Sequence, residues 1–252
     1  MNIRPALAAA LAASAGLAHG QSTSGGPAPG SASSASQARP TSSATPEQLA
    51  QLNDAVRLIQ QGRPRDAITQ DLDPVIAALE AKFNAQDTHY FCAQTSTELL
   101  YYMTKAAVDK KSAIGLDGTW ANAYFTRGYA YVELGDLARA EQSYQRAAEL
   151  APANAHVLSE LADLHSRRKD WPGALALFQS ALDQAPQFAP PASKNAEMGR
   201  ALRGIGYVDV ELGKLDDAEA AYRRCLEIDP HNQKAINELG YVQGLRKKAN
   251  AG

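Results

Sequence analysis

The segment AQDTHYFCAQT, Ala85 to Thr95, brings Asp87, His89 and Cys92 within six positions. A thiol, an imidazole and a carboxylate are the groups from which a nucleophile, its base and the group orienting that base are assembled. Such a triad is defined by geometry in space, and nearness in sequence does not supply it. A loop between helices with a buried Cys92 is the plainer reading. Elsewhere His156 and His165 stand nine apart, not the three or four that would place them side by side on one helix. No Gly-rich phosphate loop is present. No catalytic residue, cofactor or metal site is therefore expected, and a thiol-dependent enzyme or redox protein using Cys92 is kept as an alternative.

The elements that must position these residues begin with two segments that carry no fold. Arg4, the apolar run Ala6 to Ala18 and the small-residue ending Ala18-His19-Gly20 read as a signal peptide over residues 1–20, with an uncleaved anchor as the alternative. The run is too short and too alanine-rich for a membrane span. Residues 21–45 hold almost only Ser, Gly, Ala, Pro and Thr. They bury too little apolar surface to offset the entropy of ordering and are expected to be a disordered linker. Export across an inner membrane to the periplasm, without membrane insertion of the mature chain, is the expectation. The formal charge of -2 gives no basic field, so no nucleic-acid partner is expected.

Beyond the linker the chain repeats itself. GYAYVELGDLARAEQSYQRAAELAP, from Gly128, and GYVDVELGKLDDAEAAYRRCLEIDP, from Gly206, are nearly the same sentence 78 residues apart. Pro152 and Pro186 are 34 apart, and Pro230 follows 44 later, so a third copy lies between them with a ten-residue insertion. Gly128, Ala162 and Gly206 form one small column; Ala140, Ala174 and Ala218 form another. Tyr144, Phe178 and Tyr222 make an aromatic column, and Ala147, Ala181 and Cys225 a third small one. Small residues suit helix crossings, and the aromatic column would fill the space between units. Gly135 and Gly213 end the first helices, and the prolines break the chain after the second.

This pattern resembles the tetratricopeptide repeat of exported bacterial proteins. The resemblance implies an all-α fold, a right-handed solenoid of antiparallel helix pairs with an N-terminal helical cap. The array is placed at 119–250, with units at 121–154, 155–188 and 199–232 and a capping helix at 233–248. Residues 46–118 are read as an N-terminal helical region of degenerate repeats. Within it, Glu47 to Gln61 is an amphipathic helix closed by Gly62, and Asp66 to Ala85 is helical with a break at Pro74. Thr95 to Leu116 is helical by period, with Leu99, Leu100, Met103, Ala106 and Ala107 on one face. The segment from Lys110 begins with the end of a second helix. The insertion is expected in Gln187 to Met198, as a loop through Pro190 and Pro191. A first helix two turns longer than its counterparts follows, N-capped by Ser193. Cys225 lies in a small column several layers from Cys92, so both are expected as free, buried thiols rather than a disulfide.

In this family the first helices line a concave groove that holds a peptide or a partner helix. Carried over by resemblance, the groove residues are Asn122, Phe125, Tyr129 and Glu133 in the first unit. They are His156, Ser159, Asp163 and Arg167 in the second, Arg200, Arg203, Tyr207 and Glu211 in the third, and Lys234, Asn237 and Tyr241 in the cap. Chaperone-binding members grip a C-terminal carboxylate with Lys and Asn, but Phe125 and Tyr129 stand at those places here. Tyr129, Tyr207 and Tyr241 all follow the small column and are expected to point the same way. Arg167, Arg200, Arg203 and Lys234 are expected to cluster and to favour an acidic peptide; pairing with Glu197, Glu211 and Glu238 is the alternative. The implied function is a non-catalytic scaffold binding a protein or peptide in the cell envelope, with a structural oligomerisation module as a further alternative.

Overall fold

The computed structural model describes residues 42–249, so the expected signal peptide and nearly all of the linker lie outside the described residues. The linker ends earlier than expected. Ser43 is buried, its hydroxyl donates to Asp117 Oδ1, and its carbonyl accepts from Lys82 Nζ at 3.0 Å. Thr45 then opens α1 (Pro46–Gln60) with a capping box: Gln48 N–H donates to Thr45 Oγ1 at 3.3 Å, and Thr45 N–H donates to Gln48 Oε1 at 2.8 Å. Its inward face, Leu52, Ala55, Val56, Leu58 and Ile59, packs on the next helix after a turn at Gly62, whose φ is +76°.

That helix runs as α2 (Pro64–Asp66), a π-helical segment (Ala67–Leu72) and α3 (Asp73–Lys82). The break expected at Pro74 does not occur. Asp73 N–H donates five residues back, to Ile68 O, so the wider π turn precedes the proline and backbone angles stay helical through Asp73.

The sequence then departs from helix. Thr88–Ala93 and Ser112–Asp117 are strands β1 and β2, paired in parallel from Thr88↔Ser112 to Ala93↔Asp117, and α4 (Ser96–Val108) crosses between them. The helical readings of 110–118 and of 95–116 beyond Val108 are thus corrected. Gly115 gives the physical reason for the close fit: a Cβ there would collide with Leu99 Cδ1 and meet Met103 Sδ at 3.5 Å, so only glycine lets α4 lie on the sheet. Of the face expected on α4, Leu99 and Ala106 are buried, Met103 is partly buried, and Leu100 and Ala107 are exposed.

From Thr119 the chain is a solenoid of helix pairs: α5 (Thr119–Glu133) with α6 (Leu137–Leu150), α7 (Ala155–Arg167) with α8 (Trp171–Phe188), and α9 (Lys194–Glu211) with α10 (Leu215–Ile228). A last helix, α11 (Gln233–Ala249), covers α10 by burying Ala235 and Val242. The fold is all-α apart from the one two-stranded sheet. Each pair turns at a left-handed residue: Gly135, Lys169 and Gly213 with φ of +76°, +60° and +73°. Ala140, Ala174, Ala218 and the rings of Tyr144, Phe178 and Tyr222 are all buried. The rings do more than fill gaps between units, because Tyr144 and Tyr222 lie over the small column of their own units.

Two details of the insertion differ from expectation. Pro186 does not end its helix; the last turn of α8 runs two residues past it, to Phe188. That turn is held from outside, because the Phe188 ring packs 4.8 Å from Tyr101 and its carbonyl accepts from Thr95 Oγ1 at 3.2 Å. The loop through Pro190 and Pro191 is present. Helix α9 has 18 residues against 15 in α5 and 13 in α7, so it gains about one turn and not two. Ser193 stands at its N-cap, but its hydroxyl bonds the Pro190 carbonyl at 3.3 Å instead of the helix.

Candidate partner-binding groove

The first helices of the second and third units, α7 and α9, pack against each other and bring an ionic network together. His156 Nδ1, on the first turn of α7, lies 3.0 and 3.1 Å from the two carboxylate oxygens of Glu197 on α9. His156 Nε2 lies 4.0 Å from Glu160 Oε1, and Arg200 Nη1 donates to that same oxygen. The Arg200 charge is therefore spent within the protein. Burial works to raise the Glu197 carboxyl, but the His156 bond and charge outweigh it and the net shift is downward.

Asp163, one turn further along α7, is different. Its carboxylate has no hydrogen-bond or salt-bridge partner among the described residues. Burial, then repulsion from Glu160, pushes its carboxyl up to about 7, against the pull of Arg200, Arg167 and His156. Glu160, Asp163 and Glu197 thus stand around Arg200, which Glu160 binds, and His156, which Glu197 binds, with Arg167 also acting on Asp163.

The remaining expected residues divide. Phe125 and Tyr129 are 5% and 4% exposed and belong to the core, so they are not open groove surface. For Phe125 the reason lies in its neighbours: its ring packs at a tilt between Tyr144, at 5.5 Å, and His156, at 4.8 Å. The expected alignment of three tyrosines is reduced to Tyr207 and Tyr241, which are exposed. Asn122 is partly buried, Ser159 is fully buried, and Glu133, Arg167, Glu211, Lys234 and Asn237 are exposed. Tyr207 meets the Trp171 ring edge-on at 6.2 Å. Arg203 is turned toward α10, with Nη1 3.8 Å from Cys225 Sγ. The basic cluster expected from Arg167, Arg200, Arg203 and Lys234 therefore does not form: Arg200 is neutralised by Glu160 and Arg203 faces another helix.

Sequence reasoning missed Glu160. Its signal was available, since it follows His156 by four residues, the spacing that puts two side chains on one helix face. It also missed the hydroxyl of Tyr144, which is buried without a hydrogen-bond partner among the described residues.

The triad candidates lie apart from this face. Cys92 is fully buried on β1, and burial pushes its thiol up to about 12, far from the thiolate a nucleophile requires. Asp87 and His89 are exposed, with the His89 ring stacked 6.3 Å from Phe91. Both cysteines are free.

Residues 121–154 and 154–231 match two family models, each described as tetratricopeptide repeat. Among curated relatives, Protein CTR9 homolog of Arabidopsis thaliana is 28% identical over 154 residues, which cover 58% of this chain and 13% of that protein. Heat shock protein STI1 of Saccharomyces cerevisiae is 27% identical over 131 residues, covering 52% of this chain and 21% of that one. The chain thus spans a small part of the length of the curated relatives it matches. A tetratricopeptide repeat protein from Parabacteroides merdae superposes with a TM-score of 0.54 at 15% identity, covering 82% of this chain and 62% of that one, which shows a shared fold.

Proposed function

From the tetratricopeptide repeats of residues 121–231, we propose that the chain is a non-catalytic scaffold that holds a protein or peptide partner against the face built by α5, α7, α9 and α11. The observation that carries this reading is the convergence of polar side chains from successive first helices, His156 and Glu160 of α7 with Glu197 and Arg200 of α9. Neighbouring units thereby offer one continuous face. A fold with these repeats serves many partners, so the argument rests on the face and not on the architecture.

The setting we propose is the cell envelope, on the signal-peptide reading of residues 1–20. N-terminal sequencing of the chain from fractionated bacteria checks it; a mature start after Gly20 in the periplasmic fraction is expected, and an intact Met1 in the cytoplasm refutes it. Among the described residues no helix is long and apolar enough to cross a membrane.

The binding face is tested by hydrogen exchange of the purified full chain with and without peptides selected from a random twelve-residue display library. Protection concentrated in α7 and α9 is the expected result. Selected peptides that protect only 88–117, or none at all, overturn the reading.

One observation favours a second reading, an oligomerisation module. Leu100 and Val108 on α4 are 67% and 75% exposed, unusual for apolar residues on one helix. Light scattering separates the two: a concentration-independent monomer removes the second reading.

A further inference from the structure

A cavity of about 380 Å³ lies where β1 and α4 meet the second unit, and none of its lining residues belongs to α7 or α9. Its covered lining is apolar: Phe91 from β1, Tyr102 and Ala106 from α4, and Ala153 from the turn between α6 and α7. His89 and Phe91 stand two apart on β1 and so share a face. That is the face α4 covers, since Phe91 pairs with Gly115, on which Leu99 sits. The rings run in a row: His89 stacks on Phe91 at 6.3 Å, and Phe91 on Tyr102 at 5.1 Å. The Tyr102 hydroxyl is already engaged, donating to Glu98 and accepting from Ala153 N–H, so the cavity meets its ring.

The charged residues of the lining are all exposed: Lys105 and Asp109 on α4, and Lys111 beyond it. Lys110 turns the chain between them with φ of +55° and is not part of the lining. Two lysines against one aspartate leave a charge of +1 (two minus one), and +2 when His89 is protonated. Asp109 follows Lys105 by one helical turn, yet the two do not pair, and neither they nor Lys111 has a side-chain hydrogen bond or ion pair among the described residues. The Gln184 amide, from α8, lines the same space and is likewise unengaged among them. Cations beside an apolar hollow attract an anion more strongly than the same cations on open surface, because low-dielectric walls focus their field. A ring surface on the covered side and cations on the open side fit a molecule that is flat at one end and negative at the other.

We propose that this cavity binds a small aromatic carboxylate, with its ring on the Phe91 and Tyr102 row and its carboxylate held by Lys105 and Lys111. The inference is independent of the face built by α7 and α9. Its occupant would touch β1, α4 and α8 together, and so would stabilise the contact between the N-terminal segment and the second unit.

Calorimetric titration of the full chain tests it, with 2-naphthoate as the probe and 2-naphthamide as its neutral counterpart. Naphthoate should bind and raise the thermal midpoint, and naphthamide should bind about tenfold or more weakly. Lys105→Gln with Lys111→Gln should weaken naphthoate about tenfold and leave naphthamide unchanged, whereas Asp109→Asn should tighten naphthoate. All three side chains are exposed, and an unchanged midpoint without probe verifies that each variant is folded. Lys247→Gln, an equal charge change on α11, should alter nothing. Hydrogen exchange should show naphthoate protecting β1 and α4. The inference is overturned by no binding at about 1 mM probe, or by equal affinity for acid and amide. It is also overturned by an equal loss of binding in Lys247→Gln, or by protection confined to α7 and α9.

Discussion

A side chain at Gly128 would stand where the ring of Tyr144 already is: an ideal Cβ on Gly128 lies 2.6 Å from both Cδ1 and Cε1 of that ring. The same relation recurs two units on, where a Cβ on Gly206 would lie 2.6 Å from Tyr222 Cζ. Each glycine is the socket of an aromatic ring from the other helix of its own pair.

Gly128→Ala and Gly206→Ala should each destabilise the chain by about 1–3 kcal/mol, because neither buried ring can move aside. Gly240 is the control. Nothing lies within 4 Å of its would-be Cβ, so Gly240→Ala should stabilise α11 by up to about 1 kcal/mol. Urea denaturation of the three variants checks the ordering; equal midpoints would dissolve the socket.

Helix α10 lacks a cap that its counterparts possess. Asp136 accepts from Arg139 N–H and Asp170 from Gly173 N–H, both at 3.1 Å, whereas Lys214 stands at the same place with φ -85° and ψ 66° and no side-chain bond. Lys214→Asn keeps the backbone and supplies the acceptor. It should add about 1 kcal/mol, seen as a higher thermal midpoint. Asparagine is preferred to aspartate there because Asp216 and Asp217 already occupy the first turn.

Asp163 makes stability depend on pH in a definite direction. It faces Glu160, His156 and Arg167 from its own helix, Arg200 and Tyr207 from α9, and Tyr144 from α6. Its folded carboxyl titrates above the unfolded one, so the folded state holds the extra proton between the ordinary carboxylate value near about 4 and about 7. Stability from this group is complete below that window and is lost as pH rises through it. Asp163→Asn should match wild type at pH 4.5 to within error and exceed it at pH 8. A difference that shrinks with rising pH would contradict the assignment.

Thiol chemistry gives a further check. Cys92 is fully exposed to a thiol reagent only after unfolding, since it is buried with a raised thiol. Cys225 is buried as well; burial raises its thiol, with Arg203 opposing. Ellman's reagent should titrate both within minutes in guanidinium and neither at that rate in native buffer. Rapid native labelling of Cys92 would reopen the thiol-enzyme alternative.

The repeat was legible because its columns are set by sterics that leave few residue choices. Gly128 and Gly206 must be small under a tyrosine ring, and Ala140, Ala174 and Ala218 must be small at a crossing. The strands were not. THYFCA and SAIGLD are six residues each, and short apolar runs fit either period; only pairing across 24 positions and the fit of Gly115 under Leu99 make them a sheet. The groove was legible as a list of positions but not as a surface. Burial of Phe125 depends on Tyr144 and His156 from the two following helices, and the neutralisation of Arg200 depends on Glu160 across a helix interface. Both are tertiary facts with no local mark.

The segment Ala93 to Tyr102 acts on the stack like a bracket across two joints. Tyr102 donates to Glu98 at 2.6 Å and accepts from Ala153 N–H, between α6 and α7, at 2.8 Å, while Thr95 reaches the end of α8. Repeat arrays ordinarily depend on nearest-neighbour contacts and can come apart one unit at a time. Here the first and second units share a tie that bypasses the joint between them, and among the described residues no hydrogen bond from this segment reaches the third unit. Losing order should thus be a stepwise affair only at the C-terminal end, from α11 inward, with everything before Phe188 yielding as a single block.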